Sequence, residues 1–283
     1  MSTPLEFEQL IAQVDSLQEQ AEDNISKNYA QGLREIRNII QDKFDSYAVG
    51  GELTYEEMAK YDRRKKLNKE VRDAMHDLWV ENGAETRKTV RSIYKTSFKE
   101  TKELVEEAAD QVVQGKYKRE MAQKALQNPI SGLTLNERLR RRERDIITRI
   151  QETIGQGMMN NESYTEMSSR LKESLEQDYS KAMRVVRTEG HRVQEQAKRE
   201  SLEYAQNQGI EMRKYWISSA DARVRDSHDD LDDKYSEDNA IPIDEDFVSD
   251  ETGASGPTPG QLGEASEDIH CRCVTGYIVV TDD

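Results

Sequence analysis

The sequence predicts a mainly α protein with elongated N-terminal helices and a small C-terminal α+β module. Apolar residues recur at steps of three and four over most of residues 5–208, as on one face of a helix. Turn residues and β-formers dominate only after residue 209. With 35% hydrophobic and 34% charged residues, the 283-residue chain suits long helices around a small core better than one large core.

The first predicted helix lies within residues 5–44 and carries one continuous apolar stripe. The members of the stripe are Leu10, Val14, Leu17, Ala21, Ile25, Tyr29, Leu33, Ile36, Ile40 and Phe44. A stripe this narrow and long requires a partner helix. Gly50-Gly51 predicts the turn that follows.

The second helix begins with a capping box, because Thr54 and Glu57 can satisfy free amides at a helix start. It is predicted to stop near Asn82-Gly83, since Asn and Gly favour turns.

A third helix spans roughly residues 85–114, and a short fourth helix fills residues 117–126. Pro129 and Gly132 predict a turn after them. This turn is the predicted boundary between an N-terminal helical arm, residues 1–130, and a second module, residues 131–283.

The second module is predicted to hold helices over residues 134–208 and a small β-containing part over residues 212–280. Its first helix is rich in arginine, and Gly155 and Gly157 are predicted to end or loosen it. A short amphipathic helix then starts at Tyr164, and a longer one covers residues 179–207.

The arginine-rich helix is the strongest local basic patch. Its candidate nucleic-acid-binding residues are Arg138, Arg140, Arg141 and Arg142. Such a cluster either contacts DNA phosphates or forms a solvated face, and interleaved acids favour the second interpretation.

Two strands are predicted near the C-terminus, over residues 212–219 and 274–280. The intervening residues 244–263 are acidic and loop-like, with two prolines. A loop of this length is typically functional or mobile.

Net charge is concentrated in the C-terminal part. The whole chain carries −15, and residues 216–283 hold eighteen Asp and Glu against four Lys and Arg, a balance of −14. This excludes a uniformly basic nucleic-acid binder and leaves local basic patches open.

The chain is expected to be soluble and made in a cytoplasm. Its N-terminus has no basic start and no apolar segment typical of a secretory signal. No run of about eighteen apolar residues exists that would predict a membrane helix.

A candidate zinc site consists of His228, Cys271 and Cys273, with His270, Asp221 or Asp232 as a possible fourth ligand. Thiolates and imidazole suit zinc, and a structural zinc can hold together a module with a small core. In the alternative interpretation, the cysteines pack as small hydrophobes and His228 hydrogen-bonds an acid.

Two further patterns are open to more than one interpretation. His228 among Asp226, Asp229, Asp230 and Asp232 could act as a general base or help hold a divalent metal for hydrolysis. Arg187 and Glu189 lie on different sides of a helix, so they cannot pair with each other. Either residue can reach the following module, or both belong to an exposed polar face.

Several segments in this order resemble the Mu F-like minor head proteins of tailed bacteriophages, the head morphogenesis family. The segments are Gly155-x-Gly157 with Tyr164–Met167, then Arg187-Thr-Glu189, then Trp216–Asp232, and finally Pro259-Gly260 with Ile269–Cys273. The resemblance covers about residues 133–280. The residues of these segments interpreted as a structural motif are Arg187, Glu189, Asp221, Arg223, Asp232 and Arg272.

The resemblance implies a non-enzymatic minor capsid protein, made in the bacterial host cytoplasm and placed in the capsid interior of the virion. It implies association with the portal protein, the major capsid protein or both, contact with phage genomic DNA, and support of head assembly and genome delivery. Some relatives carry an added toxin or transferase domain after this module, and none is expected here. The alternative function is a metal-dependent nuclease or hydrolase that uses His228 and neighbouring acids.

Overall fold

The computed structural model describes residues 2–130, 132–219 and 221–280. Ser131, at the predicted module boundary, and Ala220, within the third segment of the resemblance, lie outside the described residues.

The protein is predominantly helical, with a strand-containing C-terminal part, as predicted. The helices are α1 (Glu8–Tyr47), α2 (Tyr55–Ala59), α3 (Arg63–Ala109), α4 (Arg119–Ala125), α5 (Leu135–Met159), α6 (Tyr164–Gln206), α7 (Asp226–Lys234) and α8 (Ala265–Asp268). Short 3-10 turns occupy Lys60–Asp62 and Glu237–Asn239. Among the described residues, no helix is both long and apolar enough to cross a membrane.

Helix α1 follows the predicted stripe. Eight of its ten members are buried, and Leu17 and Leu33 are half-buried. At the start of α2, the Thr54 side chain accepts a hydrogen bond from the backbone N–H of Glu57, as the capping box predicts.

Three predicted helix breaks are absent from the structure. Helix α3 runs through Asn82-Gly83, α5 runs through Gly155 and Gly157, and α6 is continuous across the predicted break near residue 179. Tertiary packing explains two of these corrections. Asn82 is buried and accepts a hydrogen bond from Asn28, and a Cβ on Gly157 would lie 2.6 Å from Cε of Met167.

The main sheet is antiparallel and has the strand order β1-β6-β2-β3. Its strands are β1 (Ser2–Pro4), β2 (Glu211–Ile217), β3 (Ile241–Pro242) and β6 (Val274–Val280). The two central strands agree with the prediction. Between them, the predicted loop also contains a small hairpin, in which β4 (Phe247–Val248) pairs with β5 (Ser255–Gly256).

One glycine of the central strand pair is required by packing. Gly276 of β6 lies opposite Tyr215 of β2. A Cβ at position 276 would come within 2.2 Å of the tyrosine ring. Only glycine lets the ring lie flat across the neighbouring strand.

The chain forms two compact units from interleaved segments. One unit contains residues 1–19, 87–135 and 184–283, and the other contains residues 20–86 and 136–183. The sequence predicts a boundary near residue 130 between an N-terminal arm and the module that resembles the Mu F-like family. That boundary stays a prediction.

Lys214 of β2 is a buried cation beneath the hairpin. Its Nζ donates to the carbonyl oxygen of Pro257 at 2.7 Å and lies 4.6 Å from the Phe247 ring centroid. Burial lowers the pKa of Lys214 to about 8. The folded chain therefore releases this proton more readily than the unfolded chain does.

We expect Lys214 to make stability rise with pH above about pH 8, because the unfolded state binds more protons there. The contribution is on the order of 3 kcal/mol and is complete near the ordinary lysine pKa. Urea unfolding of the wild type and of Lys214→Met at pH 7.5 to 10 measures it, and the variant should show a flatter profile. Parallel profiles would contradict the assignment.

Candidate functional site

The three predicted metal ligands come together in the structure. Nδ1 of His228 lies 3.3 Å from Sγ of Cys273 and 3.8 Å from Sγ of Cys271. The three residues are buried, and their ligand atoms all lie within 4.8 Å of one another. Both cysteines are free of disulfide bonds.

Three elements position this cluster. His228 lies in the first turn of α7, and the cysteines lie immediately before β6 and at the end of the segment that follows α8. The Arg225 guanidinium donates to the carbonyl oxygens of Glu267 and Ile269, which ties the start of α7 to the cysteine segment. Trp216 of β2 packs edge-on against the His228 ring at 5.4 Å.

The cluster belongs to the core of the C-terminal part. The buried residues packed together there are Trp216, Leu231, Tyr235, Phe247, Ala254, Leu262, Cys271 and Cys273. This core is small, so a cross-link between α7 and the start of β6 would add substantially to its stability.

Glu267 orients the imidazole and was not predicted from the sequence. Its Oε2 lies 2.7 Å from Nε2 of His228 and accepts a hydrogen bond from Oγ of Ser227 at 3.0 Å. With Nε2 facing a carboxylate, Nδ1 is left to face the two thiols. Metal-binding histidines commonly have a carboxylate partner of this kind.

The predicted candidates for a fourth ligand do not join the cluster. His270 is exposed, and its backbone is in the left-handed region at φ 62°. Asp221 is exposed and pairs with Arg272, and Asp232 is half-buried on α7. Among the described residues the cluster therefore consists of one imidazole and two thiols.

The two thiols differ in acidity. The hydrogen bond from Cys271 lowers the pKa of Cys273, burial opposes this, and the His228 imidazole lowers it further. The same hydrogen bond and burial raise the pKa of Cys271. Burial lowers the pKa of His228, but Cys273 and Glu267 raise it overall above its ordinary value. Cys273 is therefore the more acidic thiol of the pair.

Asp221 forms hydrogen bonds with two other residues of the predicted structural motif, Arg223 and Arg272. Its carboxylate forms two hydrogen bonds with the Arg272 guanidinium, at 2.5 and 2.7 Å, and also accepts from the backbone and side chain of Arg223. These hydrogen bonds hold the pKa of Asp221 far below its ordinary value, with the Arg272 contact contributing most. The pair connects the turn after β2 to the cysteine segment.

Glu189 forms a pair on its own helix. Its carboxylate accepts two hydrogen bonds from Arg192, at 2.9 and 3.2 Å, and the two side chains are 0% and 2% exposed. Arg192 also donates to the carbonyl oxygen of Ala125 at 2.7 Å, which attaches the end of α4 to α6. Arg187, two residues before Glu189, is exposed.

Two turns further along α6, Glu195 and Lys198 form a second buried pair at 2.9 Å. Glu189, Arg192, Glu195 and Lys198 thus form two buried ion pairs at successive steps of three residues along α6. The sequence left this part of α6 open between an exposed polar face and contact with the following module, and it did not predict that the pairs are buried. The alternation of acid and base at steps of three was the available signal.

The four predicted DNA-binding arginines lie in the first half of α5. Arg140 and Arg141 are exposed, whereas Arg138 and Arg142 are half-buried. Arg142 lowers the pKa of the buried Asp178, although burial raises that pKa overall.

Comparison with known proteins identifies the family. Residues 148–276 match the family model described as phage Mu protein F like protein. Minor head protein GP7 of Bacillus phage SPP1 is 33% identical over an alignment of 295 residues in length. The alignment covers 99% of this chain and 89% of that protein. The chain belongs to the Mu F-like family. It is a phage minor head protein of the head morphogenesis class.

A second relative shares only part of the Mu F-like chain. The NAD(+)--arginine ADP-ribosyltransferase EFV of Enterococcus faecalis is 32% identical over 151 residues, which span 53% of this chain and 30% of that protein. No solved structure matches the chain.

The family match contains the whole cluster. Residues 148–276 begin within α5 and end within β6, so they include α6, β2, α7 and the cysteine segment. The geometry formed by His228, Cys271 and Cys273 thus lies within the Mu F-like part of the chain.

Proposed function

We propose that this protein is a non-enzymatic component of the capsid interior that associates with the portal protein, the major capsid protein or both. Its similarity to a minor head protein over nearly the full length of both chains supports the proposal. On this proposal it supports head assembly and genome delivery. The other relative's transferase name is not carried over, because the match spans 30% of that protein.

Mass spectrometry of purified procapsids and of particles with and without their DNA tests this role. The protein should be present in procapsids and in DNA-filled heads. Its loss together with the DNA would indicate that it leaves with the genome. Its absence from particles at every stage of assembly would refute the proposal.

We further propose that His228, Cys271 and Cys273 supply three of the four ligands of a structural zinc ion. Zinc bonds of about 2.0–2.3 Å at tetrahedral angles separate an imidazole nitrogen from a thiolate sulfur by about 3.6 Å. The observed distances from Nδ1 to the two sulfurs, 3.3 and 3.8 Å, bracket that value. Soft thiolates with imidazole favour zinc over magnesium or calcium.

Elemental analysis of the purified full-length protein tests the zinc proposal. About one zinc per chain is expected after dialysis, with displacement of the metal by a thiol-reactive mercurial. A protein that purifies without zinc, and that gains none from a zinc buffer at neutral pH, would overturn the proposal.

Replacement of Glu267 by Gln is expected to weaken zinc binding about 10–100-fold without removing a ligand, because the imidazole loses its charged partner. Competition with a chromophoric chelator measures the affinity. Glu264→Gln is the matched control, since Glu264 is exposed three residues earlier. Equal affinities for the two variants would contradict the role of Glu267.

We propose that contact with packaged DNA uses the N-terminal half of α5. Arg140 and Arg141 support this, because both are exposed and adjacent in an otherwise acidic protein. Arg138 and Arg142 flank them on the same helix.

Substitution of Arg140 and Arg141 by alanine is expected to weaken binding to duplex DNA and to flatten its salt dependence. Removing two phosphate contacts should reduce the slope of log affinity against log salt by about 2. A control with Lys69→Ala and Lys172→Ala removes the same charge from exposed ion pairs. Fluorescence anisotropy at several salt concentrations measures the DNA affinity of both double variants. Equal slopes for the two variants would contradict the proposed interface.

The hydrolase alternative is not favoured by the geometry. His228 is 1% exposed and faces two thiols and Glu267, whereas Asp226, Asp229 and Asp230 are exposed. A buried imidazole without open access cannot activate water at a substrate. Magnesium-dependent DNA cleavage that is lost in His228→Ala would reverse this conclusion.

A further inference from the structure

A cavity of about 800 Å³ lies beside the cluster of His228, Cys271 and Cys273, within one compact unit. Its walls come from α1, α6, the segment after β2 and the cysteine segment that precedes β6. Four arginines line it: Arg187, Arg223, Arg225 and Arg272. Among the described residues of its lining, Asp15 supplies the one carboxylate.

This concentration of cations contrasts with the charge of the surrounding sequence. Residues 216–283 contain four basic residues against eighteen acids, and three of the four, Arg223, Arg225 and Arg272, line the cavity. The fourth, Lys234 at the end of α7, pairs with Asp250. The described lining thus contains four arginines and one carboxylate, and Asp221 pairs with Arg223 and Arg272 beside it, in a protein of net charge −15.

Two of the arginines, Arg225 and Arg272, are held in place by neighbours that leave some of their N–H donors available. Asp221 accepts two hydrogen bonds from Arg272, and backbone carbonyl oxygens accept from Arg225. A guanidinium has five N–H donors, so each of these two groups keeps donors that its neighbours do not use. Arginines fixed in this way lose little conformational freedom when they bind an anion.

The remaining lining supplies neutral donors. Ser218 and Ser219 contribute hydroxyls, and Gln18 and Gln194 contribute amides. Planar guanidinium groups that converge with hydroxyls suit the tetrahedral oxygens of phosphate, which accept paired hydrogen bonds from arginine. The cavity is within the size range of small-ligand sites, so it suits a nucleotide or a strand end better than the side of a duplex.

We propose that this cavity binds a phosphate group, carried by a free nucleotide or by the terminal phosphate of a nucleic-acid strand. The site is distinct from the exposed arginines of α5. Phosphate binding in the cavity does not depend on which capsid protein the chain contacts. A negative result from mass spectrometry of particles and a negative result from the binding measurement are therefore independent of each other.

Isothermal titration calorimetry on the full-length, zinc-supplemented protein tests the proposal. The probes are inorganic phosphate, adenosine 5′-monophosphate, a single-stranded hexanucleotide with a 5′ phosphate, the same hexanucleotide without it, and hexaglutamate. Binding of phosphate-bearing probes is expected. Tighter binding of the phosphorylated hexanucleotide than of the unphosphorylated hexanucleotide and hexaglutamate identifies a strand end as the ligand. If adenosine 5′-monophosphate binds as tightly as the phosphorylated hexanucleotide or more tightly, the ligand is a free nucleotide.

The double substitution Arg187→Ala and Arg223→Ala should weaken phosphate binding about tenfold or more, because charge-assisted hydrogen bonds are lost. Both residues are exposed, so the fold should survive, and an unchanged thermal midpoint checks this. Lys69→Ala with Lys172→Ala is the matched control, because it removes the same charge from exposed ion pairs outside the cavity, and it should bind like the wild type. The proposal is overturned if no phosphate probe binds at millimolar concentration, if the control weakens equally, or if hexaglutamate binds in preference to phosphate.

Discussion

A chain carrying Cys273→Ser is expected to lose the proposed zinc ion and to unfold at a temperature about 10 °C lower. Cys273 has the lowered thiol pKa of the pair, so it is the thiolate that binds metal most readily near neutral pH. A ligand present at a thousand times its dissociation constant stabilises the folded state by about 4 kcal/mol. Each kcal/mol corresponds to about 2–4 °C for a protein of this size. Differential scanning calorimetry with excess zinc measures the change.

Chelation distinguishes loss of metal from loss of packing. EDTA should lower the thermal midpoint of the wild type toward that of Cys273→Ser, and it should leave the variant nearly unchanged. This comparison remains informative if the variant folds poorly, because the wild type alone reports the zinc contribution. A wild-type midpoint that does not respond to EDTA would contradict the structural zinc.

The grouping of His228 with Cys271 and Cys273 could be predicted from the sequence because these residue types are rare, whereas the metal itself stays a prediction. The chain has two cysteines and four histidines, so His228 and the Cys271-x-Cys273 pair had few alternative partners. Glu267 could not be predicted in the same way. It is one of eighteen acids after residue 215, and only the fold places its carboxylate 2.7 Å from the imidazole.

Local sequence rules predicted helix identity better than helix ends. The stripe of α1 appears at the predicted positions because burial follows its periodicity, and strand β6 appears there because its apolar run is buried on both faces. The break predicted at Asn82-Gly83 was wrong because a glycine costs only about 1 kcal/mol inside a helix. Burial of neighbouring apolar side chains along α3 outweighs that cost.

Charge was the least reliable guide to exposure. Composition indicated a solvated face for the polar part of α6, yet four of its charged residues are at most 2% exposed. Each of them is neutralised by a neighbour on the same helix or bonded to a backbone group of another element. Periodicity shows which residues can pair, whereas only tertiary structure shows whether a β-strand covers the pair.

Replacement of Lys198 by Met is expected to destabilise the protein by about 3–5 kcal/mol, because it leaves a charged carboxylate buried without its cation. Nζ of Lys198 donates to Oε1 of Glu195 and to the carbonyl oxygen of Thr275, both at 2.9 Å. Oε2 of Glu195 accepts from the Thr275 backbone N–H at 2.9 Å. The pair thus fastens α6 to β6, and urea unfolding at pH 7 measures its loss.

The exposed pair Lys172–Glu176 on the same helix provides the matched control. Its two side chains are 55% and 65% exposed, so Lys172→Met should change stability by less than about 1 kcal/mol. A further variant, Glu195→Gln with Lys198→Met, removes both buried charges and keeps a hydrogen-bonding amide near Thr275. It should recover part of the loss, because the cost of Lys198→Met comes mainly from the unpaired carboxylate and not from the missing lysine. If Lys198→Met costs no more than Lys172→Met, the buried pair does not fasten the helix to the strand.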